Sequence, residues 1–275
     1  MEIAPYLPSK GTTMSRQPTY YIPHGGGPCF FMDDPQGVWA GMEQFLRGLS
    51  ADFPETPSAI LIVSGHWETR GFAFTGNAKP PLVYDYYGFP PHTYQLRYDA
   101  PGSPKLAGEA VELLQKGGFQ AGIDPDRGLD HGVFVPLKVV LPDAQIPVVE
   151  MSLDHSLDPA LHLAAGHALA PLRDKGVVIV GAGMSFHNMR GYGDPRFTGP
   201  SHEFDAWLKE SLALEDGARA ERLKQWASAP AARLSHPREE HLLPLMVAAG
   251  AAQGPGECIY SQDVMRTTLS GFRFT

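Results

Sequence analysis

The chain has 275 residues, 43% of them hydrophobic and 19% charged, which is enough to bury a sizeable core and too apolar for a disordered chain. Its 22 basic residues face 30 acidic ones, a net charge of −8 with no basic run or stripe, which argues against nucleic acid as a partner. The two cysteines, Cys29 and Cys258, form neither a disulfide framework nor a CxxC zinc ribbon, and such usage fits a reducing cytoplasm.

Residues 1–18 read as an N-terminal extension, with Met14 an alternative start. The opening MEIAPYLPSKGTTM lacks a basic segment followed by an apolar one, so no signal peptide is expected. No apolar run approaches the ~18 residues that span a bilayer, and no membrane partner is expected. The first strand is Thr19–Ile22, ended by Pro23-His24 and the glycines 25–27. A helix is expected over Asp34–Leu49, with Val38, Met42, Phe45, Leu46 and Leu49 at helical spacing. Ala59–Val63 and Phe72–Phe74 read as strands, 76–94 as a long loop rich in proline and aromatics, and Gln95–Tyr98 as a further strand.

Pro104–Lys116 is amphipathic and closed by Gly117-Gly118, a helix with its stop signal. Val133–Val140 reads as helical despite Pro136, Val148–Ser152 as a strand, Pro159–Lys175 as a helix closed by Gly176, and Val177–Val180 as a strand. Helices are expected at about Ser201–Leu212, Ala218–Gln225 and Glu239–Ala249. No internal repeat or linker interrupts them. Short apolar strands alternating with amphipathic helices predict an α/β sandwich, helices covering both faces of a mostly parallel sheet.

Three histidines share one placement: His24, His66 and His187 each come just after an apolar strand. Ligands of open α/β sheets bind at the carboxyl ends of the strands. If the three strands are parallel neighbours, the three imidazoles meet at one sheet edge, and Gly25, Gly65 and Gly183 beside them allow close backbone approach. His131 in GLDHGVFVPL and His241 in SHPREEHLLPL sit at helix starts, where they either belong to the helix or point into a pocket. His92 lies in the aromatic–proline loop and is a pocket candidate, and Tyr84, Tyr86, Tyr87 and Phe89 either wall a pocket or pack the loop. His155 reads as a turn residue, His162, His167 and His202 as solvated helix faces, and His236 as a loop residue.

A histidine-rich set suits a borderline metal, Fe(II) or Zn(II). The sequence contains no HExxH, GxSxG or P-loop; HGGG at 24–27 resembles the oxyanion loop of esterases but lacks its GxSxG companion.

IPHGGGP, SGHWE, VYDYYGFP, LDHGVFVPL, GAGMSFHN and EEHLLPL, in this order and spacing, resemble the class III extradiol ring-cleaving dioxygenases, in particular the DOPA 4,5-dioxygenase-like branch. The resemblance covers residues from about 19 to 250. It implies a three-layer α/β/α sandwich with a mostly parallel or mixed sheet, a single catalytic domain over 19–275, and one divalent metal per chain. By the same resemblance His24 and His66 match the first two metal ligands. The third is a glutamate in the wider superfamily and a histidine in this branch, which leaves Glu240 and His241 as alternatives. His187 matches a position that is either an acid–base catalyst or a further ligand, and His131 a histidine that contacts the substrate hydroxyls. The implied substrate is a small catechol, DOPA-like, with O2 as co-substrate.

The chemistry of the residue types agrees. A catechol that chelates through two oxygens needs open metal positions, and a nearby histidine can take its proton near neutral pH. The runner-up is a zinc hydrolase in which Glu68 or Glu240 activates water; the third reading is a metal-binding protein that has lost catalysis. The expected oligomeric state is a monomer or a small homo-oligomer.

Overall fold

The protein is described here from a computed structural model covering residues 14–275. Most of the expected extension, residues 1–13, lies outside the described residues. Gln17 is already buried, its backbone exchanging hydrogen bonds with Arg173.

Among the described residues eight strands make one mixed sheet: β1 (Thr19–Pro23), β2 (Ala59–Thr69), β3 (Phe72–Thr75), β4 (Ala121–Asp124), β5 (Val148–Asp154), β6 (Val177–Gly183), β7 (Gly256–Val264) and β8 (Thr267–Phe274), in the order β4-β3-β5-β2-β6-β1-β8-β7. The central four, β5, β2, β6 and β1, are mutually parallel. Helices α1 (Ala40–Leu49), α2 (Pro104–Lys116), α3 (His131–Val140), α4 (Pro159–Leu169), α5 (Thr198–Leu212), α6 (Asp216–Lys224), α7 (Ala232–Ser235) and α8 (Leu243–Gly250) flank it.

Both sheet faces are buried, which is why the strands read as unbroken apolar runs rather than alternating ones. Leu61, Val63 and Ile179 enter one core with α2, α4 and α8, while Ile60, Ile62, Val178 and Val180 enter a second with α1 and α3. This is the three-layer sandwich the resemblance implied. Ser103 and Asp158 accept hydrogen bonds from Leu106 N and Ala160 N, and each is followed by a proline at the first helical position, which fixes the starts of α2 and α4.

Several expected boundaries are corrected. The helix expected from Asp34 begins at Ala40, because the Asp34 carboxylate binds Val38 N and Trp39 N as a turn and Gly37 has φ +65°. The Gln95–Tyr98 strand does not form. Side chains take its carbonyls instead: Tyr84 Oη donates to Leu96 O and Lys138 Nζ to Arg97 O. The helix expected to reach Lys175 stops at Leu169 and continues as a tighter 3-10 segment over Ala170–Lys175, where Pro171 has no N–H to give. The segment expected as the first turn of the last helix, 239–242, stays outside α8.

Strand β2 runs six residues beyond Val63, with an irregularity in its pairing between Val63 and Glu68, so His66 belongs to the strand rather than to a turn after it. His162 and His236, expected on a solvated face and in a loop, are fully buried. His162 Nε2 accepts from Asp154 N and its Nδ1 meets Asp158 O, while His236 Nε2 meets Ser185 O.

Candidate active site

Strands β2, β6 and β1 are adjacent and parallel, so their carboxyl ends deliver His66, His187 and His24 to one edge of the sheet. The start of α3 adds His131 from the side of β2, and the turn before α8 adds His241. The five imidazoles line one cavity of about 470 Å³. The ring centroids of His24, His66 and His241 form a near-equilateral triangle with sides of 5.0, 4.7 and 5.2 Å. His131 lies 4.1 Å from the His66 ring, and His187 stacks on His241.

Backbone contacts set the position of His241. Its carbonyl accepts from Tyr21 Oη at 2.8 Å and from Met184 N at 3.2 Å. This approach needs glycine: a Cβ on Gly183 would lie 2.1 Å from His241 O, and one on Gly65 would lie 2.9 Å from Glu240 O.

The imidazoles are oriented by acceptors on their Nδ1 side. His24 Nδ1 lies 2.8 Å from Gly25 O, and His131 Nδ1 lies 2.8 Å from Asp85 Oδ1, which also accepts from His131 N. Glu240 Oε1 serves two rings at once, 3.3 Å from His187 Nδ1 and 3.2 Å from His241 Nδ1. Each bond leaves Nε2 as the nitrogen free for the cavity. The strand below is tied in as well: Ser64 Oγ accepts from His66 N and donates to Asp130 Oδ1, the residue before His131. Asp130 is held in turn by Arg127 and the buried Glu150.

Burial pushes His24 and His241 well below the usual imidazole pKa, and neighbouring imidazoles add to the effect. Burial, reinforced by His131, lowers His66 to about 4. Neutral imidazole is the form that ligates a metal. Burial alone would raise the Glu240 acid, but hydrogen bonds from His187 and His241 outweigh it and hold the carboxyl well below its ordinary range. Asp85 behaves likewise, with the His131 hydrogen bond overcoming burial.

The donor set fits a metal on two observations. His24, whose Nδ1 faces a carbonyl, presents its Nε2 lone pair 3.3 Å from His66 Nε2. His241 Nε2 is buried with no hydrogen-bond partner among the described residues. A cation beside these nitrogens would satisfy both. His24, His66 and His131 also present ligand atoms within 4.8 Å of one another, as do His187, Glu240 and His241.

Not every candidate reaches the cavity. Tyr87 lies at its mouth, whereas Tyr84 donates to Leu96 O and His92 reaches Phe31 O, and neither lines it. Tyr86 and Phe89 from the same loop do, together with Trp39. Glu68 is bound by Arg238 at 2.6 and 2.7 Å and does not line the cavity either. Asp85, Ser64 and Asp130 carried no signal of function by themselves, although Asp85 sits inside the VYDYYGFP segment.

A three-layer sandwich with a histidine-built pocket at the carboxyl edge of its parallel strands is an α/β fold whose site could hold a metal ion. Residues 18–270 match the family described as the catalytic LigB subunit of aromatic ring-opening dioxygenase, and the chain belongs to that family of oxidoreductases. It is 39% identical to a 4,5-DOPA dioxygenase extradiol of Beta vulgaris, over 85% of this chain and 86% of the relative. It is 38% identical to Dioxygenase tasH of Hapsidospora irregularis, over 88% of this chain and 80% of that protein. The crystal structure of an uncharacterized protein from Escherichia coli K12 superposes with a TM-score of 0.76 at 29% identity, covering 94% of this chain and all of the other.

Proposed function

We propose that the chain opens the ring of a small catechol with O2, outside the diol, at one divalent metal held by His24, His66 and His241. The observation that carries this is the triangle of three imidazoles, His24 and His241 buried and His66 partly exposed, with the His241 Nε2 unpartnered among the described residues. The names of the relatives make DOPA the first substrate to try. When bound, the metal supplies electron transfer to O2 and acidifies the substrate hydroxyls; of the two candidates, Fe(II) supports the redox part and Zn(II) does not.

The protein's own contribution is placement and proton handling. Tyr86 and Phe89 are suited to flank a flat ring above the histidines. His131, its Nδ1–H committed to Asp85, presents Nε2 as acceptor to one substrate hydroxyl. His187 sits at the cavity face with about a fifth of its side chain exposed, against 4% for His241. That difference favours His187 as the proton carrier and His241 as the ligand. The reaction balances without another reagent: one ring C–C bond breaks, both oxygen atoms enter the product, and the ends become a carboxylate and an aldehyde or its enol tautomer.

Both oxygens of Glu68 are bound by Arg238, Glu240 Oε1 is shared by two imidazoles, and neither carboxylate lines the cavity, which weighs against a hydrolase that needs a carboxylate base there. The test is reconstitution with Fe(II) under argon, then addition of air and a catechol. One O2 consumed per ring with a visible-absorbing product is the expected result. An iron-loaded protein that turns over no catechol yet hydrolyses an ester or amide would overturn the reading.

A further inference from the structure

The cavity has two unlike ends. Its floor is the histidine cluster, but among the described residues lining it there is no Lys, Arg, Asp or Glu. Its upper wall and mouth are apolar, formed by Trp39, Phe89, Met184, Met189, Met265 and the ring of Tyr87. Five large hydrophobic side chains among the described residues are exposed, and three of them stand at this mouth: Tyr87 at 90%, Met189 at 74% and Met265 at 44%. Apolar side chains gathered in the open around a cavity mark a surface that a ligand covers.

One of these is held in place against its own backbone preference. The hairpin between β7 and β8 turns on Met265 and Arg266, with φ of +48° and +68°. Such a turn favours Asn and Gly, and a methionine there carries strain. Met265 O accepts from Gly193 N at 2.7 Å, which ties this turn to the loop that carries Met189. The two methionines thus line the same cavity from loops joined by a hydrogen bond.

Resting on the catechol reading above, we propose that the substrate carries an uncharged, apolar ring substituent that lies against Met189 and Met265, rather than a charged amino-acid tail. A charged group drawn along this wall would lose water and meet no partner. The arginines nearest in sequence, Arg190 and Arg266, are exposed and neither lines the cavity. A charged tail would have to turn outward into solvent and leave the apolar rim uncovered. The cavity, at about 470 Å³, has the volume of a site for a ligand larger than a bare ring.

The test is a series of 4-alkylcatechols from methyl to butyl, with unsubstituted catechol and DOPA beside them. Affinity is read by calorimetry on the Fe(II)-loaded protein under argon, and kcat/KM by oxygen uptake. Each added methylene should tighten binding and raise kcat/KM about fourfold until the cavity is filled. 4-Propylcatechol should then exceed DOPA at least tenfold. Met189→Ala and Met265→Ala should each shrink the ratio between butyl- and methylcatechol. A response that is flat or falls with chain length, DOPA equal to or better than propylcatechol, or a ratio unmoved in both variants would overturn the proposal. Failure to turn over any catechol, including the unsubstituted one, would instead strike the dioxygenase reading, and the calorimetric series would still decide what the pocket prefers.

Discussion

The imidazoles of His187 and His241 lie face to face, ring centroids 3.4 Å apart and 17° from parallel, and one oxygen of Glu240 faces the Nδ1 of both. On the proposed reading, a ligand and a proton carrier thus share a single orienting carboxylate. Carboxylates behind ligating histidines are typically worth ~10–100-fold in metal affinity or activity. Glu240→Ala should weaken the metal by that factor in chelator competition, and kcat should stay depressed at saturating metal because His187 has lost its orientation too. Glu240→Gln, which keeps one acceptor oxygen, should recover part of both. Complete loss of metal in Glu240→Ala, at any concentration supplied, would make Glu240 a ligand instead.

His66→Ala should remove most of the metal and leave the fold intact. The residue lies near the open end of β2, beyond the fully buried Leu61, Ile62 and Val63, and truncating it removes little from the core. Elemental analysis and circular dichroism together check this; stoichiometric metal in the variant would remove His66 from the ligand set.

The pair formed by Asp85 and His131 predicts a kinetic coupling. Asp85→Ala should lower kcat about 10–100-fold by releasing the tautomer and orientation of His131. His187→Gln should cost ~10²–10⁴-fold if it carries a proton. The double variant Asp85→Ala/His131→Ala should be scarcely slower than His131→Ala alone, since both changes disable one unit. Additive losses would mean that Asp85 acts elsewhere.

Gly183→Ala places a Cβ 2.1 Å from His241 O, where a backbone atom cannot yield cheaply. The turn before α8 must shift, so metal content should fall along with stability, by about 1–3 kcal/mol. Denaturant melts and metal analysis report the two effects. Lost stability with an unchanged metal content would argue that His241 is not a ligand.

His162 lies on α4, away from the site, and supplies a pH prediction for the fold. Burial lowers its pKa, and the ring must stay neutral to accept from Asp154 N while Nδ1 faces Asp158 O. Below about pH 6.5 the unfolded chain takes up this proton and the native chain does not, so the contribution is fully present above pH 6.5 and is lost as pH falls toward the native pKa. At most it costs about tenfold in the folding equilibrium per pH unit. His162→Gln should therefore melt lower at pH 8 but lose less between pH 6.5 and 5 than the parent protein. Parallel profiles would exclude His162 from the acid response.

The sequence by itself determined the layer architecture and most of the histidine cluster that lines the cavity. Runs such as Ala59–Val63 and Val177–Val180, with amphipathic segments such as Pro104–Lys116 between them, admit few packings other than helices on both faces of a largely parallel sheet. That packing brings strand-end histidines to one edge, so His24, His66 and His187 were legible as a group. The hairpin of β7 and β8 was not, because β7 is a largely exposed edge strand with no apolar run. Nor were the buried roles of His162 and His236, which depend on backbone partners supplied by other elements. Only the tertiary structure shows that His241, and not Glu240, lines the cavity. The two are adjacent in the chain, and what separates them is Tyr21 and Met184 gripping the His241 carbonyl, over glycines that let that backbone come close. Such contacts join residues about 60 to 220 positions apart, and no local pattern encodes them.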